Sequence, residues 1–126
     1  MVTDPIADLL VRLSNASRVG KAATTVPYSN LKQAVAKLLE KEGYVGEVVK
    51  KNGNLVFSLV YTSGRPAING VKRISKPSRR MYMGVRDVRP IKRGHGLLVL
   101  STPAGVLTGK EAQSKRVGGE VLFEIW

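Results

Sequence analysis

The chain has 126 residues, with 43% hydrophobic and 24% charged side chains, a balance that permits a packed core and excludes a disordered tail. It contains no cysteine, which removes disulfides, thiol nucleophiles and thiolate metal sites. Its formal net charge of +12 is unevenly spread: residues 1–47 carry a net +1, residues 48–110 a net +12 with Asp87 as the one acid, and residues 111–126 a net −1. A small soluble domain needs a net charge of only about 2–8, so the excess points to a polyanionic partner bound through phosphate neutralisation.

Helix one is predicted to start at Asp4, with Pro5 at the first helical position and Ile6, Leu9, Leu10 and Leu13 forming one apolar stripe. Asn15 to Lys21 reads as its exit loop. Ala22 to Val26 reads as a short extended segment ended by Pro27. Ser29 is the predicted cap of helix two, in which Leu31, Ala34, Val35, Leu38 and Leu39 follow the spacing of a core-facing stripe and Gly43 provides the left-handed stop. Tyr44 to Lys51 and Leu55 to Tyr61 are β-rich runs on either side of Asn52-Gly53, a pair suited to a tight hairpin.

Thr62 to Pro66 reads as the junction to a second part. There a strand is predicted from Ala67 to Ser75, followed by the basic stretch Lys76 to Arg80 and by Met81-Tyr82-Met83 as loop or sheet edge. Gly84 to Gly96 reads as a connector with one short helical turn. Leu97 to Ser101 is predicted to be a buried strand. Thr108 with Glu111 forms a capping box for a short helix to about Arg116, and Gly118-Gly119 turns the chain into a final strand, Glu120 to Trp126. The fold class is therefore α/β of the α+β kind, in two small subdomains. Residues 1–64 run helix, strand, helix, hairpin; residues 65–126 are mostly β with one short helix.

The inventory supplies no catalytic constellation, and the expected chain is not an enzyme. His95 is the single histidine, so a histidine-rich metal site is impossible. Ser101, His95 and Asp87 can be arranged on paper as a hydrolase triad, but the serine lacks the Gly-x-Ser-x-Gly elbow. No dinucleotide fingerprint or phosphate loop is present, and no cofactor or metal is expected. The longest aliphatic run, Leu97 to Leu100, is far shorter than a membrane span, and Asp4 and Asp8 stand where a signal peptide carries positive charge. A cytoplasmic location with no membrane partner follows as the expectation. Binding chemistry is better served: Ser101-Thr102-Pro103-Ala104-Gly105 places two hydroxyls at the end of an apolar strand, where they suit base edges and ribose hydroxyls. The same residues would also build an ordinary turn.

From Leu98 to Thr108, the run LVLSTPAGVLT resembles the signature of the bacterial-type small-subunit ribosomal protein eight family. Asp4 to Leu10 is similar to that family's opening, Lys32 to Gly43 to its second helix, and Gly118-Gly119-Glu120-Val121 to its closing turn and strand. The resemblance implies a protein that binds the central domain of small-subunit ribosomal RNA, supports subunit assembly beside neighbouring ribosomal proteins and, in some relatives, represses its own messenger RNA. Carried onto this chain, it implies that Ser101 and Thr102, with Gly105 behind them, touch an irregular RNA loop, Thr102 foremost. Gly118 and Gly119 would let backbone approach the ribose-phosphate. Glu120 would accept from a base amino group or fix the hydroxyl loop. Tyr82, after Arg79 and Arg80, would face the RNA, and Asn30 and Lys32 would reach phosphate. Pro103 departs from the second serine common in bacterial relatives and supplies neither a hydroxyl nor an amide donor. The rival expectation is a nucleic-acid binder held by charge alone.

Overall fold

The computed structural model describes residues 4–84 and 96–126. They hold three helices and ten strands, all strand pairings being antiparallel. The chain divides into two compact units, Pro5–Gly70 and Val71–Trp126, the latter including Asp4.

In the first unit, α1 (Pro5–Arg18) and α2 (Asn30–Lys41) pack on a three-stranded sheet of order β1-β3-β2, formed by β1 (Ala23–Pro27), β2 (Val45–Lys51) and β3 (Asn54–Leu59). Ile6, Leu9, Leu10 and Leu13 of α1 are buried together with Val35, Leu38 and Leu39 of α2 and with Leu55 and Phe57 of β3. The 3.6-residue period of the helices thus meets the two-residue period of the strand across one interface. The other sheet face is more open, and Val49 there is 44% exposed.

The caps follow their residue chemistry. Ser29 Oγ accepts from the Lys32 amide at 3.1 Å, satisfying a free donor of the first turn. At the other end Tyr44 N donates to Leu39 O at 3.0 Å across Gly43, whose φ is +84°, the six-to-one bond of a Schellman stop. Asn52 and Gly53 have φ of 51° and 78°, the paired positive angles of a tight hairpin turn.

In this unit three details differ from the sequence reading. Helix α1 continues to Arg18 instead of stopping at Asn15, because Asn15 Oδ1 takes a bond from Arg18 Nη2 at 2.9 Å and Tyr61 Oη closes the helix end by donating to Lys21 O at 2.6 Å. Leu31 is 39% exposed and lies off the core stripe. The stretch after β3 forms a second tight hairpin, β4 (Tyr61–Thr62) with β5 (Arg65–Pro66).

In the second unit, β10 (Gly119–Ile125) is the common partner. It pairs β6 (Val71–Arg73) through residues 123–125, β7 (Tyr82–Met83) through residues 119–120, and β8 (Leu97–Thr102) along its other edge. Strand β9 (Gly105–Thr108) adds to β8; this strand is absent from the sequence reading, which took the stretch as a turn leading into a helix. The predicted strand over 67–75 is confined to Val71–Arg73 as a formal strand, although Ile74 N and Ser75 N still bond to Leu122 O and Val121 O, both at 3.1 Å. Leu98, Leu100 and Val121 form a buried cluster flanked by Ile74 and Met83. Helix α3 (Gly109–Lys115) packs on β8 and β9, capped by Thr108 and Glu111 through reciprocal bonds of 3.1 and 3.0 Å. Arg73 grips Asp4 with Nε and Nη2 and donates Nη1 to Leu122 O. Leu122 sits at an irregularity in the β10–β8 register.

Most of the predicted connector, with His95 and Asp87 of the paper triad, lies outside the described residues.

Candidate nucleic-acid interface

Antiparallel pairing sets the site. Residues directly opposite in neighbouring strands project to the same sheet face. Tyr82 of β7 is opposite Glu120 of β10, Glu120 is opposite Ser101 of β8, and Ser101 is opposite Val106 of β9. A row therefore runs Tyr82, Glu120, Ser101, joining three residues that are separated by up to 38 positions in the chain. Tyr82 is 69% exposed, which places its ring at the surface and not in the sheet packing.

At one end of the row the chain makes a cationic tip. Lys76 and Arg79 exchange backbone hydrogen bonds, both 2.9 Å, around Pro77-Ser78, so a two-residue turn projects Lys76, Arg79 and Arg80, all exposed. Ser75, at its base, is closed to solvent. Its Oγ accepts from Met81 N at 2.9 Å and donates to Glu120 Oε2 at 2.6 Å, and Arg80 Nη1 donates to the same oxygen at 3.0 Å.

Glu120 is thus an acceptor shared by Ser75 and Arg80. Burial disfavours its charged form, but the hydrogen bonds from Ser75 and Arg80 and the charges of Arg80 and Arg73 outweigh that effect, and the carboxyl titrates below its ordinary value. The same hydrogen bond and charge from Glu120 raise the Arg80 guanidinium. Of the two roles expected for Glu120, fixing a loop is the one its contacts serve, and the loop it fixes is the basic one: it accepts from Ser75 and Arg80.

At the other end of the row, β8 turns into β9 through Thr102-Pro103-Ala104-Gly105. Thr102 Oγ1 donates to Gly105 O at 2.8 Å and accepts from Ala104 N at 3.1 Å. The hydroxyl proton is therefore used within the turn, and one lone pair is left for an outside donor. Pro103, whose fixed φ suits the first corner of a turn, is exposed at the tip, and Gly105 adopts φ +112°. Ser101, half-buried, has no side-chain hydrogen bond among the described residues. Its hydroxyl retains both its donor and its acceptor capacity.

Gly118 and Gly119 have an internal reason to lack side chains. A Cβ on Gly118 would run into Met83 O and lie 2.9 Å from Gly84 Cα; one on Gly119 would run into Ser101 O and lie 3.0 Å from Thr102 Cα. The two glycines let β10 pass between the backbones of β7 and β8. The close approach attributed to ribose-phosphate is, in the free protein, an approach of strand to strand.

Asn30 and Lys32 belong to the other unit. Asn30 is exposed at the start of α2, with Oδ1 accepting from Tyr28 Oη at 2.7 Å, and Lys50 Nζ stands 3.8 Å above the Tyr28 ring. Lys32 is only 6% exposed, so little of its side chain stands clear of the surface. Ser75 was missed in the sequence because its partner is 45 residues away and no local motif marks it.

Among the described residues no group of three or more histidines, cysteines or carboxylates is placed to hold a metal. Among the same residues no helix is long and apolar enough to cross a membrane.

Known proteins resemble this sequence along its whole length. The family model for ribosomal protein S8 matches residues 4–126. The chain is 44% identical to the small ribosomal subunit protein uS8 of Nitratidesulfovibrio vulgaris (strain DSM 19637 / Miyazaki F) and 46% identical to that of Oleidesulfovibrio alaskensis (strain ATCC BAA-1058 / DSM 17464 / G20), in both cases covering all of both chains. It is 43% identical to the uS8 of Roseiflexus castenholzii (strain DSM 13941 / HLO8), over 99% of this chain and 98% of the relative. With a matching family model over nearly its whole length and full-length relatives above 40% identity, the chain belongs to the ribosomal protein S8 family.

Proposed function

We propose that this protein is a constituent of the small ribosomal subunit that binds the central domain of small-subunit ribosomal RNA through its second unit and supports assembly of the particle. Its relatives carry the name of a small-subunit protein, and its partners are then ribosomal RNA and the ribosomal proteins next to it. The observation that carries the RNA reading is the row Tyr82, Glu120, Ser101, with an exposed ring, a serine hydroxyl without a hydrogen bond among the described residues and a cationic tip at its edge.

Each part has a matching chemistry. Lys76, Arg79 and Arg80 neutralise phosphates and set register without reading sequence. Tyr82 offers a stacking face to an unpaired base. Ser101, and the remaining lone pair of Thr102, engage base edges or ribose hydroxyls beside Gly105. A regular A-form helix hides its base edges in a deep groove, so the target is an irregular stem with displaced bases. Gly118 and Gly119 serve this surface by bringing β7 and β8 close together, and Glu120 by holding Arg80; Asn30, exposed on the first unit, makes a polar contact of its own with RNA. A segment of the protein's own messenger folded in the same shape would compete for the same surface and repress translation.

Binding of a central-domain fragment and of an unrelated duplex across a salt series tests this reading. Shape recognition predicts a gap in affinity that persists as salt rises. Equal affinities that collapse together leave only a charge-driven binder.

A further inference from the structure

Among the described residues Ser75 is the polar side chain with no solvent exposure at all. A hydroxyl in such a place is costly unless its hydrogen-bonding capacity is met, and here both bonds go to the margins of the cationic tip. The bond from Met81 N closes the chain into a ring around residues 76–80, inside which Lys76 and Arg79 make their own mutual pair. The bond to Glu120 Oε2 fixes the carboxylate that receives Arg80 Nη1. Arg80 keeps 52% of its side chain in solvent. A guanidinium has five N–H donors, so the carboxylate leaves an edge available for bidentate contact with a phosphate.

We propose that Ser75 is a positioning residue for RNA binding: through Glu120 and Met81 it holds Arg80 in place, with one guanidinium edge turned to an RNA phosphate. The proposal rests on the RNA-binding reading of this surface. Ser75 itself touches no RNA, being closed off; its effect is to replace a freely rotating arginine by one already set. A serine kept only for packing would leave Arg80's contribution to binding untouched.

The test is a double-mutant cycle of Ser75→Ala and Arg80→Ala, measuring affinity for a central-domain ribosomal RNA fragment over a range of salt. Arg80→Ala is expected to lose about tenfold in affinity, as for a hydrogen bond to a charged group, and to lower the salt slope by about one unit, as for one phosphate contact. Ser75→Ala should reproduce both effects, and the double variant should be no weaker than Arg80→Ala. A full salt slope in Ser75→Ala, or losses that multiply in the double variant, overturns the proposal. If the alanine variant does not fold, Ser75→Cys keeps the volume with a far weaker hydrogen-bonding group and is judged by the same slope. The Glu120 carboxyl titration, followed by NMR without RNA, should move upward in the Ser75 variant, and an unmoved titration overturns the proposal as well. Wild-type protein that shows no preference for the ribosomal fragment overturns the RNA reading instead, and the titration still decides whether Ser75 holds Glu120.

Discussion

Thr102 and Gly105 face each other across the β8–β9 turn, and the threonine hydroxyl donates to the glycine carbonyl at 2.8 Å while accepting from the Ala104 amide at 3.1 Å. The hydroxyl therefore does for the turn what a backbone pair does in a longer hairpin. Thr102→Ala should cost about 1 kcal/mol of folding stability, the net worth of an ordinary internal hydrogen bond, seen as a lower urea midpoint at unchanged m-value. RNA affinity should fall as well, because the turn loses its preset shape. Thr102→Ser, which retains the hydroxyl, should restore most of both.

Ser101 gives the opposite pattern. Its side chain makes no hydrogen bond among the described residues, so Ser101→Ala should leave stability within about 0.5 kcal/mol of wild type, as for an ordinary surface change. RNA binding should weaken by about 1 kcal/mol with the salt slope unaltered, since a neutral contact releases no counterion. Arg79→Ala supplies the contrast: a uniform loss across RNA sequences and a slope reduced by about one. Isotherms at several salt concentrations separate the two.

Gly119→Ala should be among the most damaging single changes in the second unit. Its Cβ meets the backbone of Ser101 and Thr102, and backbone cannot rotate aside as a side chain can. Overpacking of this kind costs about 1–3 kcal/mol. Denaturant titration measures it, and a variant as stable as wild type would contradict the close strand passage.

The depressed titration of Glu120 has a definite sign. A carboxyl whose folded pKa lies below its unfolded one adds stability that is fully present above the ordinary value of 4.5 and is lost as pH falls through the folded value. Wild-type protein should therefore lose stability on acidification more steeply than Glu120→Gln, the two curves converging below pH 4.5. Urea midpoints taken from neutral pH down to about pH 3 read the difference directly.

The sequence made some of this plain. Helix α2 was legible at both ends because Ser29 and Gly43 act through local backbone chemistry, and the Asn52-Gly53 turn and the Thr108–Glu111 capping box were legible for the same reason. What was not legible depends on partners far along the chain. Strand β9 is four residues long and is made a strand only by β8. Asn15 looked like a loop residue until its bond with Arg18 and the reach of Tyr61 held the last helical turn. The role of Gly118 and Gly119 could be read as closeness, but what comes close is visible only in the sheet. Likewise the residues of the row could be named one by one, while Ser75, which ties Glu120 to the backbone of Met81, has no signature at short range.

The strand that β6, β7 and β8 all share is the last of that sheet in chain order. During synthesis, the edges that β6, β7 and β8 turn toward β10 stay without a partner until residues 119–125 have cleared the exit tunnel. The unit Pro5–Gly70, whose strands pair within a span of 37 residues, can close much earlier, as nascent chains fold unit by unit. The surface proposed here for RNA therefore takes shape after the unit Pro5–Gly70, because Tyr82, Glu120 and Ser101 come side by side only once β10 is in place.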